Sequence, residues 1–210
     1  MNQQSPQPKA SSTQSWQKVA KRIRVPLGFL TAALYVAELW QHAPRAAAIL
    51  WSLALGLPGL WLRAYASGYV KKNAELTVTG PYAHTRNPLY LGSMLMAAGF
   101  ALAIESWAVA LLLAAGFALI YIPVIGGEEK FLRSAFAGFD AYCQQVPRLI
   151  PRLTPARLGQ QTADESQRGR FSFALYLQHR EYNAAMGVVL LYLCLVCLRP
   201  ALMTALHLAR

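Results

Sequence analysis

The strongest constraint on this chain is where its charge is missing: five stretches, 25–41, 46–62, 88–104, 106–127 and 182–198, carry almost none. Runs of that length and polarity are best accommodated as helices in lipid, where each backbone N–H and C=O finds its partner within the segment. Four of the stretches are 17 residues long, and at about 1.5 Å per residue each covers roughly 26 Å, inside the range needed for a bilayer core. The composition agrees, with 55% hydrophobic and 14% charged residues in 210. The expected fold is all-α, a polytopic transmembrane bundle of about five membrane helices. Glu38 near the far end of the first stretch does not prevent insertion, and Pro58 between Gly56 and Gly59 should only kink the second.

The connectors set the topology. Residues 41–45 and the single residue Glu105 are so short that the first and second helices, and the third and fourth, must form antiparallel hairpins. The other connectors are long and basic. With a cytoplasmic N-terminus, 17 of the 20 Lys and Arg residues fall on the cytoplasmic side, leaving Arg45, Arg199 and Arg210 outside. That asymmetry predicts an integral membrane protein with its N-terminus in the cytoplasm and its C-terminus outside. The net charge of +11 therefore reads as topology and not as nucleic-acid binding.

Along the chain, residues 1–17 are expected to be a disordered tail, 18–153 a membrane core, 154–170 a polar linker, and 171–210 an interfacial segment with the C-terminal membrane helix. The basic-then-apolar run 18–40 reads as a retained signal anchor. Cys143, Cys194 and Cys197 suggest no disulfide framework, and the last two read as packing residues of an apolar helix. His84 and His179 have no partners at metal-ligand spacing and read as surface residues, so no metal is expected. Glu38 and His42, one helical turn apart, are expected to pair.

Three stretches carry chemistry. In Thr79-Gly80-Pro81-Tyr82-Ala83-His84-Thr85-Arg86-Asn87-Pro88-Leu89-Tyr90-Leu91-Gly92, Gly80-Pro81 marks a turn and Pro88 suits the first turn of the third helix. Tyr82 and Tyr90 can line a pocket or anchor at the interface. Arg86 and Asn87 bring donors to a helix N-terminus, where a ligand carboxylate would fit. The second stretch, Gly126-Gly127-Glu128-Glu129-Lys130, closes the fourth helix. The third helix runs from Pro88 to the Glu105 turn in 17 steps and the fourth returns to Glu128 in 23, so the two motifs end within about 9 Å of the same level. Adjacent glutamates point about 100° apart, so one should face a cavity, able to hold a cationic ligand, while the other meets water or Lys130. The third stretch, 136–151, mixes aromatics with prolines and basic residues and could fold back as a lid.

In combination, residues 60–152 resemble the isoprenylcysteine carboxyl methyltransferase and phospholipid methyltransferase group of integral membrane enzymes. The likeness rests on Gly80-Pro81-Tyr82, then Arg86-Asn87-Pro88-Leu89-Tyr90-Leu91-Gly92, then Glu128-Glu129, then Tyr142 with Val146-Pro147 and Pro151, in family order. It implies S-adenosylmethionine as cofactor, a cytoplasmic cofactor pocket, and methyl transfer to a lipidic carboxylate or amine at the bilayer. It also implies cofactor contacts from Leu76, Thr77, Tyr82, Asn87, Pro88, Leu89 and Tyr90 and from one of Glu128 and Glu129; no catalytic residue follows from it. Two departures stand out. Asn87 occupies a position where many relatives carry His. The Arg that prenylcysteine-methylating relatives place one turn before the acids is replaced by Ile122-Pro123-Val124-Ile125, which leaves Arg63 as the substitute for holding a substrate carboxylate. Two alternatives stay beside this reading: a nicotinamide-dependent reductase of the sterol type, although no Gly-rich dinucleotide fingerprint is present, and a non-catalytic membrane scaffold of the same fold.

Overall fold

In the computed structural model, residues 12–71, 75–156, 169–201 and 204 are described, and among them every regular element is helical. Helix α1 (Ser12–Gln41) and α2 (Ala46–Ser67) form the first hairpin. A short 3₁₀ turn, Gly80–Ala83, leads into α3 (Pro88–Ile104), and α4 (Trp107–Ala135) returns beside it. The short helices α5 (Phe139–Gln145) and α6 (Phe173–Gln178) precede the last long one, α7 (Tyr182–Ala201).

The hairpins form as the connector lengths require. Glu105 takes a left-handed backbone, φ 51°, to reverse the chain after α3, and the Ser106 hydroxyl accepts from the Val109 N–H at 3.4 Å to cap α4. Within α4 the turn Phe117–Tyr121 widens to π geometry just ahead of Pro123, whose missing N–H disrupts the regular ladder there.

Helices α2 and α3 make the closest approach in the bundle, and small residues permit it. A Cβ on Gly92 would lie 2.6 Å from the Gly59 carbonyl oxygen, and one on Gly99 would lie 2.7 Å from that of Ser52. Such contact supplies the dispersion energy that holds helices together where lipid is as apolar as leucine. Near the Glu105 turn, Tyr35, Ala103, Ile104, Val109 and Leu195 form a buried cluster joining α1, α3, α4 and α7. Polar contacts close that end: Ser106 donates to Glu38 at 2.9 Å, Glu38 pairs with His42 at 3.5 Å as expected, Arg45 pairs with Glu105, and Arg199 donates to the Leu39 carbonyl at 2.7 Å.

The expectation of about five spanning helices is refined. By length and composition, α2, α4 and α7 can cross a membrane, and α3 is apolar but shorter at 17 residues. The first predicted span, 25–41, is the second half of α1, whose N-terminal half is polar and basic. Large side chains face outward along the bundle, with Trp51, Trp61 and Trp107 at 70%, 62% and 83% exposure, which suits contact with lipid. The helix α1 begins at Ser12, so residues 12–17 are helical where a disordered tail was expected; 1–11 lie outside the described residues, as does 157–168 of the expected polar linker.

Candidate functional site

The site lies at the end of the bundle away from the Glu105 turn, and its foundation is the bend between α2 and α3. Gly80 has φ +59°, and a Cβ there would meet the Tyr69 ring at 2.6 Å, so only glycine serves both the backbone and the packing. The 3₁₀ turn that follows buries Pro81, Tyr82 and Ala83. Burial pushes the Tyr82 phenol above its ordinary pKa, with nearby Tyr142, Glu128 and Glu181 adding to the effect.

Residues 136–156 fold back over this bend, as the aromatic and proline pattern suggested. Tyr142, Phe139 and Val146 pack with Leu76 and Val78, and the Tyr142 hydroxyl donates to the Tyr82 carbonyl at 2.7 Å. Beyond α5 the chain runs as an extended strap beside residues 83–87. The Arg86 N–H donates to the Pro147 carbonyl, and the Arg152 and Ala156 N–H groups donate to the His84 and Ala83 carbonyls, each at 2.9 Å. The buried Thr85 hydroxyl lies 3.2 and 3.1 Å from the Arg148 and Leu149 carbonyls, and Asn87 Nδ2 donates to the Arg148 carbonyl at 2.9 Å. His84, read as a surface residue from sequence, instead sets its Nδ1 2.8 Å from the Arg152 carbonyl, and His179 sets its own 3.1 Å from that of Ser67.

Between the bend, α4 and α5 lies a cavity of about 460 Å³. Leu76, Thr77, Tyr82, Asn87, Pro88, Leu89, Tyr90, Glu128 and Glu129 all line it, and so does Arg63. The two motifs meet directly: Tyr90 donates its hydroxyl to Glu128 Oε1 at 2.8 Å and packs edge-on against Tyr121, whose ring stacks on Phe117. The α3–α4 hairpin thus brings both motifs to one level, as their spacing predicts.

Several expected roles are corrected by what the side chains touch. Glu129 does not meet water or Lys130; it is 7% exposed and holds Arg86 at 3.2 Å and Arg148 through a fork whose Nε lies at 3.0 Å. Arg86 and Asn87, expected as donors for a ligand carboxylate, are engaged by Glu129 and by the strap carbonyl. Arg63, the expected carboxylate holder, is clasped by Glu181. Among the cavity's cations, Lys71 pairs with Glu75 at 3.2 Å, Arg63 with Glu181 and Arg86 with Glu129. Glu128 is therefore the lining carboxylate bonded to a phenol where the other acids hold cations. A carboxylate so placed attracts a cationic ligand.

Sequence reasoning did not single out Glu181, which lies in the expected interfacial segment before the last helix, or Tyr121. An acidic residue at the edge of an apolar run was the available signal for Glu181.

With this geometry established, comparison with known proteins identifies the segment that carries it. Residues 51–138 match the model of the phospholipid methyltransferase family. The match covers the bend, α3 and α4 through both glutamates, the first motifs of the resemblance, and ends before Tyr142, Val146-Pro147 and Pro151. Over 95 residues the chain is 43% identical to the cobalt-zinc-cadmium resistance protein CzcN of Cupriavidus metallidurans, and 40% identical to the nickel-cobalt-cadmium resistance protein NccN of Alcaligenes xylosoxydans xylosoxydans. Each alignment covers 45% of this chain, and respectively 43% and 44% of those proteins, so the chain spans less than half the length of either. No solved structure matches the chain.

Proposed function

We propose that this chain is an S-adenosylmethionine-dependent methyltransferase of the membrane, acting on a lipidic acceptor in a cavity that opens to the cytoplasm. The observation that carries the reading is Glu128: an acid held by Tyr90, without a counter-cation among the described residues, in a cavity lined by every position the family resemblance names for cofactor contact. The donor set suits the cofactor. A volume of about 460 Å³ falls in the range of small-molecule sites. Glu128 supplies the acid for a positively charged ligand, and Tyr82, Tyr90 and Tyr121 supply aromatic surface that a cation favours.

Bound there, S-adenosylmethionine supplies a methyl group already activated by the sulfonium. The chain's own residues have positioning to do. Glu128 and the three tyrosines orient the cation, Leu76 and Thr77 form part of the wall, and α5, tied down by Tyr142, keeps water from its side of the cavity. A lipidic acceptor has a second place to lie. An apolar groove of about 690 Å³ between α3 and α4 is lined by Met94, Ala97, Ala101, Leu113 and Phe117, and it begins next to Tyr121 at the cavity's edge. A hydrocarbon tail along that groove leaves its head group at the tyrosines.

The relatives' roles in metal resistance come to this chain most economically as a modified membrane lipid. Among the described residues no group of three or more His, Cys, Asp or Glu is placed as a metal shell.

The test is binding of S-adenosylmethionine to detergent-purified protein. Glu128→Gln should weaken binding at least about tenfold, the worth of one charge-assisted contact. Glu129→Gln should act mainly by freeing Arg86 and Arg148, lowering thermal stability more than affinity. Equal affinity in wild type and Glu128→Gln would refute the assignment.

A further inference from the structure

Arg63 lies just over one turn before the end of α2, and its guanidinium is used in full. Nη2 lies 2.9 Å from both carboxylate oxygens of Glu181, Nε lies 3.1 Å from Oε2, and Nη1 donates to the Ser93 hydroxyl and, at 3.4 Å, to the Leu89 carbonyl. The pair is well enclosed, with side-chain exposures of 23% for Arg63 and 11% for Glu181. Both residues line the cavity.

Glu181 is not a wandering surface acid. It comes from the turn before α7, outside the family-matched segment, and that turn is pinned to the end of α2. The Ser172 N–H donates to the Gly68 carbonyl at 2.8 Å, the Phe171 ring covers Gly68, and His179 meets the Ser67 carbonyl. Arg180, immediately before it, holds a left-handed backbone, φ 54°, at a cost of about 1 kcal/mol that surrounding contacts must offset.

A bidentate guanidinium is the side chain best matched to a carboxylate. Here that fork already holds one. A ligand carboxylate reaching Arg63 would have to displace Glu181 and leave it enclosed without its counter-cation, beside a second negative charge. We propose that Glu181 is a specificity-determining residue: an internal carboxylate that fills the anion subsite at Arg63, so that the cavity selects lipidic ligands whose head group is not an acid. That the selected ligand is a methyl acceptor rests on the function proposed above; the charge selectivity belongs to the cavity in either case.

The experiment uses the full chain in lipid nanodiscs, titrated calorimetrically with octanoate and with octylamine, with empty discs subtracted. Wild type should show no octanoate binding above the discs. Glu181→Gln should gain octanoate affinity at least about tenfold, and Arg63→Gln added to it should abolish the gain. Arg63→Gln alone, which leaves Glu181 without its cation, should instead gain octylamine affinity about tenfold, so loss of folding in one variant cannot imitate the pattern. Octanoate binding by wild type as tight as by Glu181→Gln, an octanoate gain that survives loss of Arg63, or no octylamine gain in Arg63→Gln would each overturn the proposal. S-adenosylmethionine binding, measured on the same samples, reports separately on the proposed function: its absence in wild type would sink that reading and leave the octanoate and octylamine pattern to decide this one.

Discussion

Replacing Tyr142 with Phe isolates the bond that ties α5, and through it the strap, to the site. The residue is 2% exposed, and its ring packs with Phe139 and Val146. Removing only the hydroxyl leaves that packing in place and deletes the donor 2.7 Å from the Tyr82 carbonyl. A buried hydrogen bond of this kind contributes about 1 kcal/mol net, and an acceptor left without a donor costs up to about 3 kcal/mol. Opening of the strap should therefore become roughly 5- to 150-fold more frequent, since 1.4 kcal/mol is a factor of ten. Hydrogen exchange with mass spectrometry reads this directly, because the amides of Arg86, Arg152 and Ala156 are protected only while the strap lies against residues 83–87. Peptides carrying those amides should exchange at least about fivefold faster in Tyr142→Phe, while those from the glycine contact of α2 and α3 should stay near wild type. Unchanged exchange at Arg86 and Arg152 would refute the role given to this bond, and equal acceleration in α2 and α3 would show that the strap does not open as a separate unit.

Two further outcomes follow from the same packing. Burial holds the phenols of Tyr82 and Tyr142 above their ordinary values, so the neutral forms stabilise the fold fully below about pH 10, the unfolded value, and that contribution is lost as pH rises further; exchange of the strap amides in wild type should accelerate between about pH 9 and 11 beyond the intrinsic chemical rate, and less so in Tyr142→Phe. A Cβ at Gly92 would lie 2.6 Å from the Gly59 carbonyl oxygen and 2.7 Å from Arg63 Cγ, so Gly92→Ala should cost about 1–3 kcal/mol by forcing α2 from α3, seen as a lowered thermal midpoint in detergent, whereas Gly126→Ala, with nothing within 4 Å of its Cβ, should be neutral or slightly stabilising.

Much of the bundle was legible because lipid allows so few solutions. An apolar run must satisfy its own backbone, which makes it a helix, and a connector as short as Glu105 must make a hairpin. Those two facts already brought Pro88 and Glu128 to one end, and the Tyr90–Glu128 bond is their consequence. The cavity's lining was legible for a different reason: the bend, the helix start and the acidic pair are local motifs whose order survives in one dimension. Helix limits were less so. α2 continues past the last uncharged residue because Arg63 finds a partner, so charge did not mark the end of the helix.

What the sequence by itself determined was the material and its order: apolar helices, a glycine-proline bend, two adjacent acids, and a surplus of cations over acids. What only the tertiary structure decided was which charge meets which. Glu128 and Glu129 are identical in composition and adjacent in the chain, yet one turns to a tyrosine and the other to two arginines. Arg63 became an occupied fork because Glu181, 118 residues away, is delivered to it by the last helix. Pairing energies depend on distances of a few ångströms between atoms that the chain does not keep close. The character of the cavity was therefore set by packing, while its inventory was already present in the order of the residues.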